Sequence, residues 1–164
     1  MNTNKIKLSL GLLCGLLFIP TSADAASNAV WLTDTTALFT IDFGFEHEEF
    51  TTGVPVVAVD GVSYSDRVDH LGYTLKSSQE ETPKITNLNS IVLGSATIED
   101  GKYFVPANEK AVFRLVILAT FDEPLAEATV QARITKLPYW LDGRRTTVHQ
   151  NQLDELGAPV LELK

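Results

Sequence analysis

The strongest apolar pattern in the chain lies between Ala111 and Phe121, in the segment AVFRLVILATF. On an extended chain, one face carries Phe113, Leu115, Ile117, Ala119 and Phe121. The other face carries Val112, Val116 and Leu118, with Arg114 and Thr120 among them. A strand that is apolar on both faces belongs in the middle of a sheet. The pattern therefore predicts a buried central strand.

Two further segments alternate between apolar and polar positions, which predicts strands with one buried face. Thr36 to Phe45 places Ala37, Phe39, Ile41, Phe43 and Phe45 on one side. Glu127 to Leu137 places Ala128, Val130, Ala132 and Ile134 on one side. We expect this second segment to pair with the central strand, and the two together to form the core.

Three Asp-Gly pairs predict tight hairpins, because a type I′ turn needs two residues that tolerate positive φ. They are Asp60-Gly61, Asp100-Gly101 and Asp142-Gly143. Shorter β-like runs surround them: Val30–Leu32, Gly53–Val59, Val62–Tyr64, Tyr73–Leu75, Ser90–Ile98, Lys102–Val105, Leu137–Leu141 and Val160–Leu163. The polar segment from Ser77 to Asn89 predicts the longest surface loop, and Gln150 to Leu156 predicts one or two turns of helix.

About eight short strands with regular turn signals are typical of an all-β domain. We predict an antiparallel β-sandwich of immunoglobulin-like kind, with a small β-barrel as the alternative. At 164 residues the chain has room for one domain. We place that single β-sandwich domain at residues 26–164.

Residues 1–25 have the pattern of a secretory signal peptide. Lys5 and Lys7 give a positive start, Leu8–Ile19 is apolar, and Ala23-Asp24-Ala25 fits the cleavage rule. The apolar run is well short of the roughly 20 residues that span a bilayer. We predict cleavage after Ala25, no membrane insertion afterwards, and a secreted or periplasmic protein.

Charge and cysteine content narrow the function classes. The chain carries a net charge of −8. Removing Lys5, Lys7 and Asp24 leaves 11 basic and 20 acidic residues, a net charge of −9. An acidic chain is a poor ligand for nucleic acid, which requires a basic footprint. Cleavage also removes Cys14, the single cysteine, so the core alone must hold the mature domain together.

Acidic clusters offer weak metal candidates. Asp42, Glu46, His47, Glu48 and Glu49 lie close together and could hold a divalent cation such as calcium, although a solvated loop is the simpler interpretation. His47-Glu48 begins like the H-E-x-x-H zinc motif, but the fifth position is Thr51 and the segment follows a strand. A second acidic stretch contains Asp60, Asp66, Asp69 and His70, with spacing unlike an EF-hand.

No motif indicates catalysis. Ser63, Ser65 and Ser95, with His70 or His149, are the available nucleophiles and bases, yet Gly61–Ser65 lacks the final glycine of a nucleophile elbow. A pair of glycosidase carboxylates is defined by its separation in space, so the sequence leaves it open. Trp31, Tyr103, Tyr139 and Trp140 are either a binding platform or, more simply, core filling.

These observations favour an exported, non-enzymatic structural or interaction module that needs no cofactor. It would act through its surface or its edge strands, by binding a protein partner or by self-association. The Ala26–Asp34 segment is a candidate donor strand. The alternatives are a domain that binds a small ligand or a divalent metal and, further off, a hydrolase.

Overall fold

A computed structural model describes residues 28–46, 52–64, 67, 69–77, 84–125, 129–149 and 161–162. Within these residues the protein is all-β. The strands are β1 Asn28–Trp31, β2 Thr36–Glu46, β3 Val54–Ala58, β4 Val62–Ser63, β5 Leu71–Ser77, β6 Ile85–Gly94, β7 Thr97–Glu99, β8 Lys102–Val105, β9 Lys110–Phe121, β10 Thr129–Leu141, β11 Arg144–His149 and β12 Leu161–Glu162.

The strands form two sheets. The first sheet has the order β1-β2-β9-β6, and every neighbouring pair in it is antiparallel. The second sheet has the order β4-β5-β10-β3-β8-β7, with β11 and β12 also paired to β10. Its one parallel pair joins β4 to β5. The antiparallel β-sandwich predicted from the sequence is confirmed.

The core lies between the inner faces of the two sheets. Alternate residues of β2 and β9 point into it, including Phe43 and Phe113, whose rings stack with centroids 5.4 Å apart. The second sheet meets them with Tyr103, which packs edge-on against Phe113 at 5.5 Å. Phe45 of β2 contacts Tyr139 of β10 at 5.8 Å. One set of aromatic rings therefore joins both sheets.

β9 is central, as predicted, but two expectations about it are wrong. It lies between β2 and β6, and its outer face is only partly covered, with Arg114 exposed. The alternating strand β10 belongs to the opposite sheet, so it faces β9 across the core and does not pair with it. Alternation in a sequence identifies the buried side of a strand; it does not identify the sheet that the strand joins.

Two of the three predicted hairpin turns are confirmed. Asp100 and Asp142 have φ of 48° and 49°, each followed by a glycine at 73°, as a type I′ turn requires. The third prediction is wrong. Gly61 donates its N–H to the Ala58 carbonyl in a tight turn, and the chain then runs parallel to β5, so β3 and β4 do not form a hairpin.

Several other predicted elements differ from the observed strands or lie outside the described residues. The predicted loop from Ser77 to Asn89 is wrong over Ile85–Asn89, which begins β6. β11 was not expected, because its sequence RRTTVH is mostly polar. The predicted helix at Gln150–Leu156 and the signal peptide at 1–25 lie outside the described residues. Among the described residues, no helix is long and apolar enough to cross a bilayer.

Candidate functional site

Of the metal candidates, Asp42 is bonded to an arginine, and the side chains of the other four lie outside the described residues. Asp42 accepts two hydrogen bonds from Arg114, Nε to Oδ1 at 2.6 Å and Nη2 to Oδ2 at 2.9 Å. Its side chain is only 2% exposed, so both carboxylate oxygens serve an arginine. Glu46 ends β2 opposite Lys110, and its side chain, with His47, Glu48 and Glu49, lies outside the described residues. The described part of the chain holds no cluster that could bind a metal ion.

The candidate nucleophiles and bases do not converge in the described part of the chain. Ser95 Oγ accepts a hydrogen bond from the Val112 N–H at 3.0 Å. Asp69, from the second acidic stretch, forms an ion pair with Arg145. His70 lies next to it, with Nδ1 buried. Ser65 and the His149 side chain lie outside the described residues.

The four aromatic candidates do not form a common platform. Tyr103 and Tyr139 are each 5% exposed and belong to the core. Trp31 lies in the first sheet against Phe121, with ring centroids 5.9 Å apart. Trp140 lies in the second sheet beneath Lys102, whose Nζ is 4.9 Å from the ring centroid. The two tryptophans therefore lie in different sheets and do not form one surface.

The edges of the two sheets differ sharply in length. Among the described strands, β1, β4 and β7 end their sheets with four, two and three residues, and β11 and β12, which pair only with β10, have six and two. β6 ends the first sheet with ten residues, from Ile85 to Gly94. Proteins commonly protect sheet edges by keeping edge strands short or by adding charge or proline. β6 has none of these protections, because its sequence ITNLNSIVLG contains no charged residue and no proline.

The hydrogen-bond parity of β6 identifies the groups that face outward from this edge. Ser95 donates its N–H to the Val112 carbonyl at 2.9 Å, and an unbroken register connects this pair back to Asn87 and Thr120. In an antiparallel pair, hydrogen-bonded positions alternate. The even-numbered residues of β6 therefore direct N–H and C=O away from β9: Leu88, Ser90, Val92 and Gly94. We call this row the β6 edge.

Two buried tyrosines of the second sheet support the β6 edge from inside. Tyr103 donates its hydroxyl to the Val92 carbonyl at 3.1 Å. Tyr73 hydrogen-bonds the Ser90 side chain, while burial and the neighbouring Tyr64 raise the pKa of Tyr73 above its ordinary value. These contacts hold the edge strand against the core, and β4 of the second sheet also lies close to it.

The outer face beside the β6 edge is apolar and electrically neutral. Ile91 and Leu93 are 51% and 49% exposed, and they lie in register with Val116 and Arg114 of β9. The charge of Arg114 is balanced by Asp42, whose proximity also raises the pKa of the guanidinium. A free row of backbone groups beside exposed aliphatic side chains can accept another extended strand.

The sequence contained a usable signal for this site. On β6, Leu88 and Val92 point inward and Ile91 and Leu93 point outward, a two-residue period visible in the letters. The polar residues Asn87 and Asn89 share the outer face and made the first half look like a loop. No local pattern could show that β6 ends a sheet, because that depends on strand order.

No family model and no curated protein matches the chain. Among solved structures, the crystal structure of the yeast GGA1 GAE domain is similar over 84% of this chain and 88% of that one. The identity is 8% and the TM-score is 0.32. A score at this level does not establish a shared fold, so the description above stands on the strand order and register of the protein itself.

Proposed function

We propose that this protein is an exported, non-enzymatic interaction module that binds an extended segment of a protein partner along the β6 edge. The observation that carries the proposal is the ten-residue edge strand, uncharged and free of proline. In the part of the chain that the structure describes, the other sheet edges are two to six residues long, and the six-residue one, β11, carries two arginines. Main-chain hydrogen bonds to the edge would supply affinity, and contacts with Ile91 and Leu93 would supply side-chain preference.

Export rests on the sequence of residues 1–25, whose basic, apolar and small-residue zones fit a signal peptide. Expression of the full chain in a bacterial host, followed by cell fractionation and mass spectrometry, tests it. We expect a mature protein that begins at Ala26, outside the cytoplasm. Recovery of the intact chain in the cytoplasm would contradict export.

A proline at position 90 tests strand binding most sharply. Ser90→Pro removes an N–H that faces outward, so the ladder to β9 is retained, and proline is tolerated at such an edge position. It also loses the Ser90 hydrogen bond to Tyr73. Ser90→Ala is the matched control, because it loses the same side-chain bond and keeps the N–H.

The probe is a fluorescent ten-residue peptide library that alternates valine and threonine, varied at the positions facing the apolar outer face. We expect binding to the wild type and to Ser90→Ala, and about a tenfold weaker affinity for Ser90→Pro. Equal binding by all three proteins, or no binding to the wild type at concentrations where it is monomeric, would overturn strand binding as the function.

A further inference from the structure

We infer that the strand that binds the β6 edge is β6 of a second copy of this chain, antiparallel and related by a twofold axis. The inference rests on the proposed function and names its partner. The even-numbered residues of β6 direct their backbone N–H and C=O groups away from β9. An antiparallel neighbour must therefore pair even with even and odd with odd positions. We place the axis at Ile91, so that Leu88–Gly94 of one copy lies beside Gly94–Leu88 of the other.

The edge is complementary to itself. A twofold axis places the same patch on both partners, and an antiparallel copy presents a carbonyl wherever the first copy presents an N–H. In this register Ser90 of each copy faces Val92 of the other. The carbonyl of Val92 already accepts the Tyr103 hydroxyl and retains a second lone pair for a ladder hydrogen bond.

The side chains on the outer face fit the same register. Ile91, half exposed in one copy, meets Ile91 of the other across the axis, and Leu93 lies diagonally within reach of it. Association would take these exposed aliphatic groups out of water together. Leu93 of one copy also lies directly opposite Asn89 of the other, so the seam is aliphatic at its centre and polar at its flanks.

Charge favours a second copy at this edge over the other edges. Two chains of net charge −8 repel wherever acidic residues meet, and no charged residue occurs between Ile85 and Ala96. Nearby charges are paired: Arg114 with Asp42 on the outer face, and Lys84 with Asp122 at 3.3 Å before the strand begins. The β7 edge, by contrast, carries Glu99 beside Asp100.

The absence of cysteine after residue 14 allows a direct test of the axis. In the proposed register, position 91 faces its own copy as a non-hydrogen-bonded pair, with Cα atoms about 4.5 Å apart, a separation that a disulfide can bridge. We expect Ile91→Cys in the mature chain to form a covalent dimer under mild oxidation. Thr40→Cys, on the outer face of β2, is the matched control and should remain monomeric.

Light scattering of residues 26–164 across a range of concentrations measures the association itself. We expect a wild-type dimer, a similar dissociation constant for Ser90→Ala, and one at least about tenfold higher for Ser90→Pro. A wild type that stays monomeric, a dimer that Ser90→Pro does not weaken, or equal crosslinking at positions 40 and 91 would overturn the inference. A monomer that still binds the peptide library leaves strand binding intact and refutes only the second copy as partner.

Discussion

The two outer faces of the sandwich differ in kind. The outer face of the first sheet mixes aliphatic residues with the Arg114–Asp42 ion pair, carries exposed Lys110 at one end of β9, and ends at the β6 edge. The second sheet has basic residues spread over its outer face. They are Lys76, Lys102, Arg133 and Arg145, whereas Lys136 of the same sheet is buried. Among the strands described above, its edges are β4, β7, β11 and β12, which are two, three, six and two residues long.

The two sheets differ in how their edge strands are protected against pairing with another strand. Short edges and charge exclude an added strand from the second sheet. The first sheet lacks both protections and carries the apolar surface that an added strand would cover. Beside the β6 edge, the charge of Arg114 is balanced by Asp42. We interpret the outer face of the second sheet as mainly solvated and the aliphatic surface beside the β6 edge as the binding face.

The largest effect is expected from truncating a core residue that contacts both sheets, because both sheets depend on that core. Phe113 packs against Phe43 of its own sheet and Tyr103 of the other, so Phe113→Ala should cost about 3–5 kcal/mol of unfolding free energy. Val116→Ala, on the outer face of the same strand, should cost less than about 1.5 kcal/mol, because that side chain is only partly covered. Urea unfolding followed by fluorescence measures both. Equal losses would contradict the assignment of inner and outer faces.

The next largest effect is expected from removing the arginine of the Arg114–Asp42 ion pair, which leaves a negative charge on the first sheet. Arg114→Ala leaves the Asp42 carboxylate, 2% exposed, without its guanidinium. Because Arg114 itself is about half exposed, we expect a cost of about 1–2 kcal/mol and not the larger value of a fully buried pair.

The double variant Asp42→Asn with Arg114→Ala should recover part of that loss, because it also removes the buried negative charge that has lost its guanidinium. Chemical denaturation of the three variants completes the cycle. No recovery in the double variant would show that the Asp42 carboxylate does not depend on Arg114 for its stability.

The second sheet depends less on any one of its cations. Lys102→Ala removes the ammonium above Trp140 and should cost about 0.5–1 kcal/mol. A shift in tryptophan emission should accompany it, whereas Lys76→Ala, on the same face and exposed, should leave the emission unchanged. An unchanged spectrum for Lys102→Ala would place the lysine away from the ring.

The smallest effect concerns alkaline pH at the support of the β6 edge. Burial raises the pKa of Tyr73 above its ordinary value of 10.0, so folding favours the neutral phenol. The resulting stability is fully present below pH 10 and is lost as the pH rises through the folded-state pKa. Thermal unfolding between pH 8 and pH 11 should show a steeper decline for the wild type than for Tyr73→Phe. Parallel curves would exclude Tyr73 as the titrating group.

The sequence predicted local features better than it predicted relations between strands. Alternation identified the inward residues of β2 and β10, and the Asp-Gly pairs at 100 and 142 adopt the expected turns. Those features depend on neighbouring residues alone. The partner sheet of β10, the parallel return of β4 and the position of β6 at an edge depend on contacts between distant segments. The candidate site belongs to this second group, so it was visible only once the strand order was known.

The pairing of β2 with β9 also has a kinetic consequence. Eleven residue pairs join these strands, and the hydroxyls of Thr36 and Thr120, 84 positions apart in sequence, lie 3.3 Å apart. Bringing such distant segments together costs chain entropy before their contacts can stabilise the fold. Folding is therefore slow, on a scale of roughly milliseconds to seconds for β-rich domains. Synthesis must also pass residue 121 before the central pairing can finish. Slow folding would suit the proposed export, because a chain that is still unfolded can cross a membrane, and its β6 edge would then form only after folding.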